Sequence, residues 1–218
     1  MYKIVYKKRL NDFVTMMDIE APLVARKAEP GQFIILRVDA DGERIPLTIA
    51  GFDREQGTVR IIFQVVGSTT AKLHHKNTGG YLSDFVGPLG TPTHTEGLKK
   101  ICIVGGGVGC AIALPVAQKL HVMGCEVHGI IGFRSKELLI LEDEFRACCD
   151  PGGGGIRSGL CHRPPDYDEI CCCHYKALRC KNHRIYESDY DRRHRYVRRV
   201  PSYGRGGNQI CLCRWPGF

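Results

Sequence analysis

LKKICIVGGGVGCAIALPVAQKLHVMGCEVHGIIGFRS, residues 98–135, decides how the second half of this chain is read. Ile101, Cys102, Ile103 and Val104 form a short apolar run of the kind that makes a parallel strand buried on both faces. Gly105, Gly106, Gly107 and Gly109 follow as a loop. An alanine-rich segment then reads as a helix up to Gly124, a residue suited to the left-handed position after a helix. Residues 126–132 make a second apolar strand. Strand, glycine loop, helix and strand in that order form the unit that seats a dinucleotide pyrophosphate, because the loop brings bare backbone N–H groups to the positive end of a helix dipole. The strict fingerprint is not met: counted from Gly105 its third glycine falls on Cys110, and counted from Gly107 on Ile112. No acid ends the second strand to hold a ribose hydroxyl. Arg134 and Ser135 stand there, and Arg134 suits either a 2′-phosphate or plain solvation. Alone, the loop also fits a purely structural turn.

Outward from this unit, toward the N-terminus, the chain reads as all-β. YKIVYKKRL at 2–10 alternates Tyr2, Ile4 and Tyr6 with polar residues, the period of a half-buried strand. TVRIIFQVV at 58–66 puts Val59, Ile61, Phe63 and Val65 on one face, and QFIILRVD at 32–39 behaves similarly. Pro30-Gly31, Asp41-Gly42 and Gln56-Gly57 punctuate the strands as turns. Short strands at this spacing predict a small antiparallel β-barrel. Two segments in it carry possible chemistry. RIPLTIAGF at 44–52 sets Arg44 before a strand, where a guanidinium can grip a phosphate with two parallel hydrogen bonds. FQVVGSTTAKL at 63–73 ends a strand at Gly67 and offers Ser68, Thr69 and Thr70 at the start of a helix, an anion site by virtue of unpaired N–H groups. Each also fits an ordinary turn and cap.

The order of these motifs, with PGQF at 30–33, GPLG at 87–90 and LLILEDEF at 138–145, resembles the ferredoxin–NADP reductase superfamily. Within it the chain is similar to the electron-transfer subunit group, which includes the electron-transfer subunit of dihydroorotate dehydrogenase and the small subunit of sulfide dehydrogenase/ferredoxin–NADP reductase. The resemblance runs nearly continuously over the first 150 residues. It implies an FAD-binding β-barrel over 1–95 and, over 96–150, the first part of an NAD(P)-binding α/β Rossmann-like domain. By the same resemblance Arg44, Pro46, Leu47 and Thr48 contact the flavin and its phosphates. Gly67, Ser68, Thr69 and Thr70 form the pyrophosphate helix, and Gly106, Gly107, Val108 and Gly109 the nicotinamide-nucleotide loop, with Arg134 beside it. The implied activity passes a hydride between nicotinamide and flavin and single electrons to a two-iron, two-sulfur cluster, the flavin converting between the two. No catalytic acid, nucleophile or resident metal ion is expected. The implied partners are a larger catalytic oxidoreductase subunit and ferredoxin.

Residues 151–218 do not continue this design. Of 31 Lys+Arg and 23 Asp+Glu, the segment from Pro151 on holds 13 and 6, so it carries +7 of the net +8. It also holds seven of the 12 cysteines, among them the run Cys171, Cys172 and Cys173. Eleven arginines there fit a nucleic-acid arm, the alternative reading of the whole chain, but the near-neutral body argues against it. A metal site from Cys171, Cys172, Cys173, Cys180, His162 and His174 is disfavoured, since adjacent cysteines do not converge tetrahedrally. Shifted by one base, codons allowed for YVRRVPS at 196–202 read MCGGCRV. Those for 208–213 permit IKFACV, and those for 155–164 permit GYDRVFAIGP. Read through, the shifted tail gives the rest of the nucleotide domain and an Asp-Gly-x-Gly-x-Cys-Gly-x-Cys stretch of the kind that holds an iron–sulfur cluster. The written tail is therefore expected to be an irregular, out-of-frame translation of the same family, with a few dozen residues missing at the junction and no cluster in this chain. No apolar run approaches the roughly 18 residues that span a bilayer, and MYKIVYKKRL lacks a secretory h-region, so a cytoplasmic protein without membrane partners is expected.

Overall fold

A computed structural model describes residues 1–149, 156–160, 185–186 and 211–214. The chain divides into two compact units, Met1–His94 and Thr95–Phe218. Among the described residues no helix is long and apolar enough to cross a membrane.

The first unit is a seven-stranded antiparallel sheet that nearly closes on itself. Its strands are β1 (Tyr2–Arg9), β2 (Val14–Glu20), β3 (Phe33–Arg37), β4 (Arg44–Asp53), β5 (Thr58–Gln64), β6 (Tyr81–Leu82) and β7 (Asp84–Leu89), with spatial order β6-β1-β2-β5-β4-β3-β7. Val59, Ile61 and Phe63 of β5 point inward, as their alternation requires, and meet Ile4, Met17, Ile19, Ile34, Leu36, Ile49 and Phe85 in one core; Val65 packs against it. In β1 the alternation holds for Tyr2 and Ile4 and then fails. The β1–β2 register shifts between Ile4 and Tyr6, and Tyr6 is left 45% exposed. The extra residue reverses the side-chain phase, so Lys7 takes a half-buried position in place of Tyr6.

Two helices complete this unit. α1 (Pro22–Lys27) buries Val24 and Ala25 and opens with a proline at its first turn. The expectation of an all-β segment misses it, because six residues carry little periodicity. α2 (Ser68–His75) follows β5 and drives Leu73 into the core. The PGQF and GPLG segments meet directly: Gln32 Nε2 donates to the carbonyl of Gly90 at 3.0 Å, while its Oε1 accepts from the Glu29 N–H at 2.9 Å.

In the second unit β8 (Lys100–Gly106) and β9 (Glu126–Phe133) pair in parallel, as expected from the apolar runs around the glycine loop. A 3-10 turn (Gly107–Gly109) and α3 (Cys110–Val122) connect them. α4 (Glu142–Cys148) follows, burying Phe145. β10 (Ile156–Leu160) adds to β9 in parallel. On the other side of β8 lies β12 (Cys211–Arg214), antiparallel, and beyond it β11 (Ile185–Tyr186). The architecture is thus an antiparallel barrel followed by a small, largely parallel α/β sheet. The irregular tail, its cysteines at 171–173 and 180 and its basic stretches otherwise fall outside the described residues.

Candidate flavin and nucleotide sites

The first site grows from a gap in the barrel sheet. β4 pairs with β3 over residues 44–48, but with β5 only from Ile49 onward, with a register shift between Ile49 and Gly51. The first half of β4 therefore has an unpaired edge on the β5 side. That is where a proline, lacking an N–H, can sit in a strand, and Pro46 occupies it. Alternation then turns Arg44, Pro46 and Thr48 to the outer face, while Ile45 and Leu47 pack against the core. Four expected flavin residues thus divide into three that face outward and one, Leu47, whose side chain serves the barrel.

α2 starts close by. The Thr69 hydroxyl donates to Glu43 Oε2 at 3.1 Å, which brings the first turn of the helix to the residue before Arg44. Gly67, extended at φ −158°, is the N-cap and gives no side-chain bond; the first turn holds no acid. The backbone N–H groups of this turn lack intrahelical partners by construction and favour an anion. Thr70 serves a different purpose. Its hydroxyl accepts from the N–H groups of Val66 and Gly67, each at 3.0 Å, and donates to the Gly67 carbonyl at 3.0 Å. It folds the approach to the helix back on itself.

Three charged residues join this site that sequence reasoning did not single out. Arg37, Arg44 and Asp84 share one row across β4, β3 and β7, since Arg37 is registered with both others. Arg44 Nη2 donates to Asp84 Oδ2 at 3.2 Å. Arg37 Nε lies 2.8 Å from the same oxygen as an ionic contact without hydrogen-bond direction, and its Nη1 donates to the Ala40 carbonyl at 2.6 Å. Glu43 is the third. Two of these were legible only as neighbours of known motifs: Glu43 precedes RIPLTI, and Asp84 lies three residues before GPLG.

The second site is built from backbone. Gly105 ends the buried part of β8 under the start of α3. A Cβ there would lie 3.1 Å from Cys110 Sγ and 3.2 Å from its Cα, so this glycine permits close helix–strand packing. Gly107 adopts φ +54°, the left-handed conformation, with open space where a Cβ would point. Val108 and Gly109 complete the 3-10 turn, and Gly106 lies opposite Gly132 in the parallel register. Exposed Arg134 comes two residues after Gly132, at the same carboxyl end of the sheet as the loop. Cys110 stands at the mouth of α3, yet burial pushes its thiol up to about 12, so it packs rather than reacts. Among the described residues no three His, Cys, Asp or Glu side chains gather as metal ligands.

Known proteins share this arrangement. The chain is 40% identical over 148 residues to the Thermotoga maritima dihydroorotate dehydrogenase B (NAD(+)) electron transfer subunit homolog, covering 68% of this chain and 52% of that one. The solved NADH-dependent reduced ferredoxin–NADP oxidoreductase, a flavin-based electron-bifurcating enzyme, superposes with a TM-score of 0.72 at 34% identity over 83% of this chain and 64% of that one. This chain belongs to the ferredoxin–NADP reductase superfamily. Within the superfamily it falls in the electron-transfer subunit group. An uncharacterized Clostridium beijerinckii protein is 51% identical over 152 residues, 66% of this chain and 51% of that protein. The chain thus spans about half the length of these curated relatives. No family model matches it. As a member of the superfamily it carries a flavin-binding-type barrel followed by an α/β unit.

Proposed function

We propose that this chain is the FAD-containing electron-transfer subunit of an NAD(P)H-linked oxidoreductase, passing electrons between nicotinamide nucleotide, flavin and an iron–sulfur cluster. The observation that carries the reading is the open edge of β4: outward Arg44, Pro46 and Thr48 beside a helix whose own first turn contains no acidic residue. A flat ring can lie along such an edge, and a diphosphate can take the guanidinium of Arg44, the hydroxyls of Ser68 and Thr69 and the free N–H groups of α2. The bound flavin supplies the exchange between two-electron and one-electron chemistry. The protein's part is to hold and orient it; no side chain need donate or accept a proton.

In the second unit, Gly106, Gly107, Val108 and Gly109 are proposed to receive the pyrophosphate of NAD(P), with Arg134 placed for the ribose end. A larger catalytic subunit, and ferredoxin as an electron partner, fit an electron-transfer subunit of this group. The domain division at about residue 95 separates the two roles. The cluster ligands are proposed to lie in the shifted reading of the tail, where MCGGCRV and IKFACV bring thiolates together; the written Cys211 and Cys213 are not among them. The written chain then holds FAD with impaired nucleotide binding and no cluster. A nucleic-acid role for the basic tail finds no support in the barrel or the glycine loop.

The test is the purified full chain, with the gene sequenced alongside. The expected result is protein-bound FAD, visible absorbance of oxidised flavin, and neither iron nor acid-labile sulfide in stoichiometric amount. Stoichiometric iron would contradict the assignment of the tail. So would a single open frame that gives the written tail and excludes the shifted string.

A further inference from the structure

The far end of α2 is fastened to the barrel by groups that no expectation from the motifs included. Lys7 reaches it from β1: its ammonium donates to the carbonyls of His74 and, at 2.9 Å, of Lys76. These are two of the carbonyls a helix leaves without partners at its C-terminus, where a positive charge also opposes the dipole. Thr15, fully buried on β2, bonds His74 Nδ1 through its hydroxyl at 2.6 Å. Lys76 Nζ holds Asp39 Oδ1 at 2.7 Å, a third attachment, from the segment after β3. The bulge in β1 makes this possible, since it puts Lys7 where the strand's own alternation would have put Tyr6. The ammonium is half-buried and its charge is spent locally on backbone carbonyls, an arrangement that would be costly without a purpose for the helix.

We propose that Lys7, with the Thr15–His74 bond, is a positioning device for flavin binding: it fixes the C-terminal end of α2 so that the N-terminal turn, about 12 Å away along eight residues, is held ready for the diphosphate of the flavin. The proposal rests on the reading of α2 as the diphosphate helix. Anion binding at a helix start needs several N–H groups converging on one place, and a helix free to pivot about Leu73 presents them poorly. The barrel's other flavin contacts, on β4, do not depend on α2. Lys7 therefore bears on the share of the diphosphate contacts that α2 supplies and leaves those of β4, Arg44 and the ring contacts, alone.

The experiment compares FAD with riboflavin, which lacks the diphosphate, by fluorescence titration of the full chain. Lys7→Met is expected to raise the dissociation constant for FAD about tenfold, the size expected for losing charge-assisted bonds at a helix end. Riboflavin binding should stay within twofold of the wild type, and Lys7→Arg should restore most of the FAD affinity. Thr15→Val, which keeps the shape and removes the hydroxyl, should act in the same direction and more weakly. Equal weakening for both ligands would mean Lys7 merely supports the barrel, and unchanged FAD binding would overturn the device outright. Wild-type protein that binds FAD no better than riboflavin would instead show that α2 is not the diphosphate helix. The thermal midpoint of each variant shows whether the barrel remains folded; should Lys7→Met unfold, Thr15→Val carries the comparison alone.

Discussion

The helix starts of α2 and α3, each proposed above to receive a diphosphate, are built in opposite ways. The start of α2 is assembled from side chains. Thr70 folds the approach, Thr69 meets Glu43, and Arg44 is held on Asp84 beside Arg37. The start of α3 is assembled from missing side chains. Gly105 lets the helix lie close on β8, and Gly107 takes a backbone conformation that L residues rarely adopt. The difference teaches where each site is vulnerable: the first to removal of a functional group, the second to addition of a methyl.

The largest effect expected from this contrast comes from Gly105→Val. Its branched side chain would press on Cys110 Sγ and Cα, atoms of a buried helix start that cannot retreat. Overpacking of this kind costs roughly 1–3 kcal/mol, so the second unit should melt several degrees earlier while FAD binding by the barrel stays intact. Loss of FAD from this variant would break the contrast. Gly107→Ala, facing open space, should cost less, about 1 kcal/mol from the positive φ alone.

Thr70→Val removes the hydroxyl that serves Val66 and Gly67 and keeps the shape. It should cost about 1 kcal/mol, the usual value of a helix cap, read as a lower thermal midpoint for the barrel and weaker FAD binding. The second unit should not respond.

The smallest effect is in pH. Burial, and then the charges of Lys7, Arg9 and His75, hold the His74 imidazole below its ordinary value of 6.5. The groups around it are Lys7 and Arg9 from β1, Thr15 from β2 and His75 from α2, with Lys76, the residue after the helix, held on Asp39. The Thr15 hydroxyl donates to or accepts from Nδ1 according to the tautomer, so the pH response comes from burial and the neighbouring charges. The contribution to stability is complete above about 6.5 and is lost as pH falls through the lower folded-state value. Thermal melts of the wild type should fall in that window, and Lys7→Met, which removes one of those charges, should fall less.

Much of this was legible because the signals were local. The glycine loop, the α3 helix and both flanking strands follow from apolar runs and glycines within 38 residues, and the structure places them within a residue or two of expectation. The strand β5 announced its inward face residue by residue. What escaped depends on pairing between distant segments. Nothing in YKIVYKKRL reveals that a bulge turns Tyr6 out and Lys7 in, because the bulge exists only against β2. Leu47 was grouped with Arg44, Pro46 and Thr48 by its place in a motif, and that its side chain packs on the core follows only from strand phase. The row of Arg37, Arg44 and Asp84 requires the register of three strands at once, with 40 residues separating Arg44 from Asp84.

The central claim is that the barrel binds a flavin through its diphosphate. Titration of the full chain with FAD and with riboflavin, for the wild type and for Arg44→Gln, tests it most directly. The account predicts one FAD per chain, bound far more tightly than riboflavin, with the advantage cut about tenfold or more in Arg44→Gln, as for a lost charge-assisted contact. FAD and riboflavin bound with equal affinity, or an Arg44→Gln protein that still prefers FAD as strongly as the wild type, would contradict it.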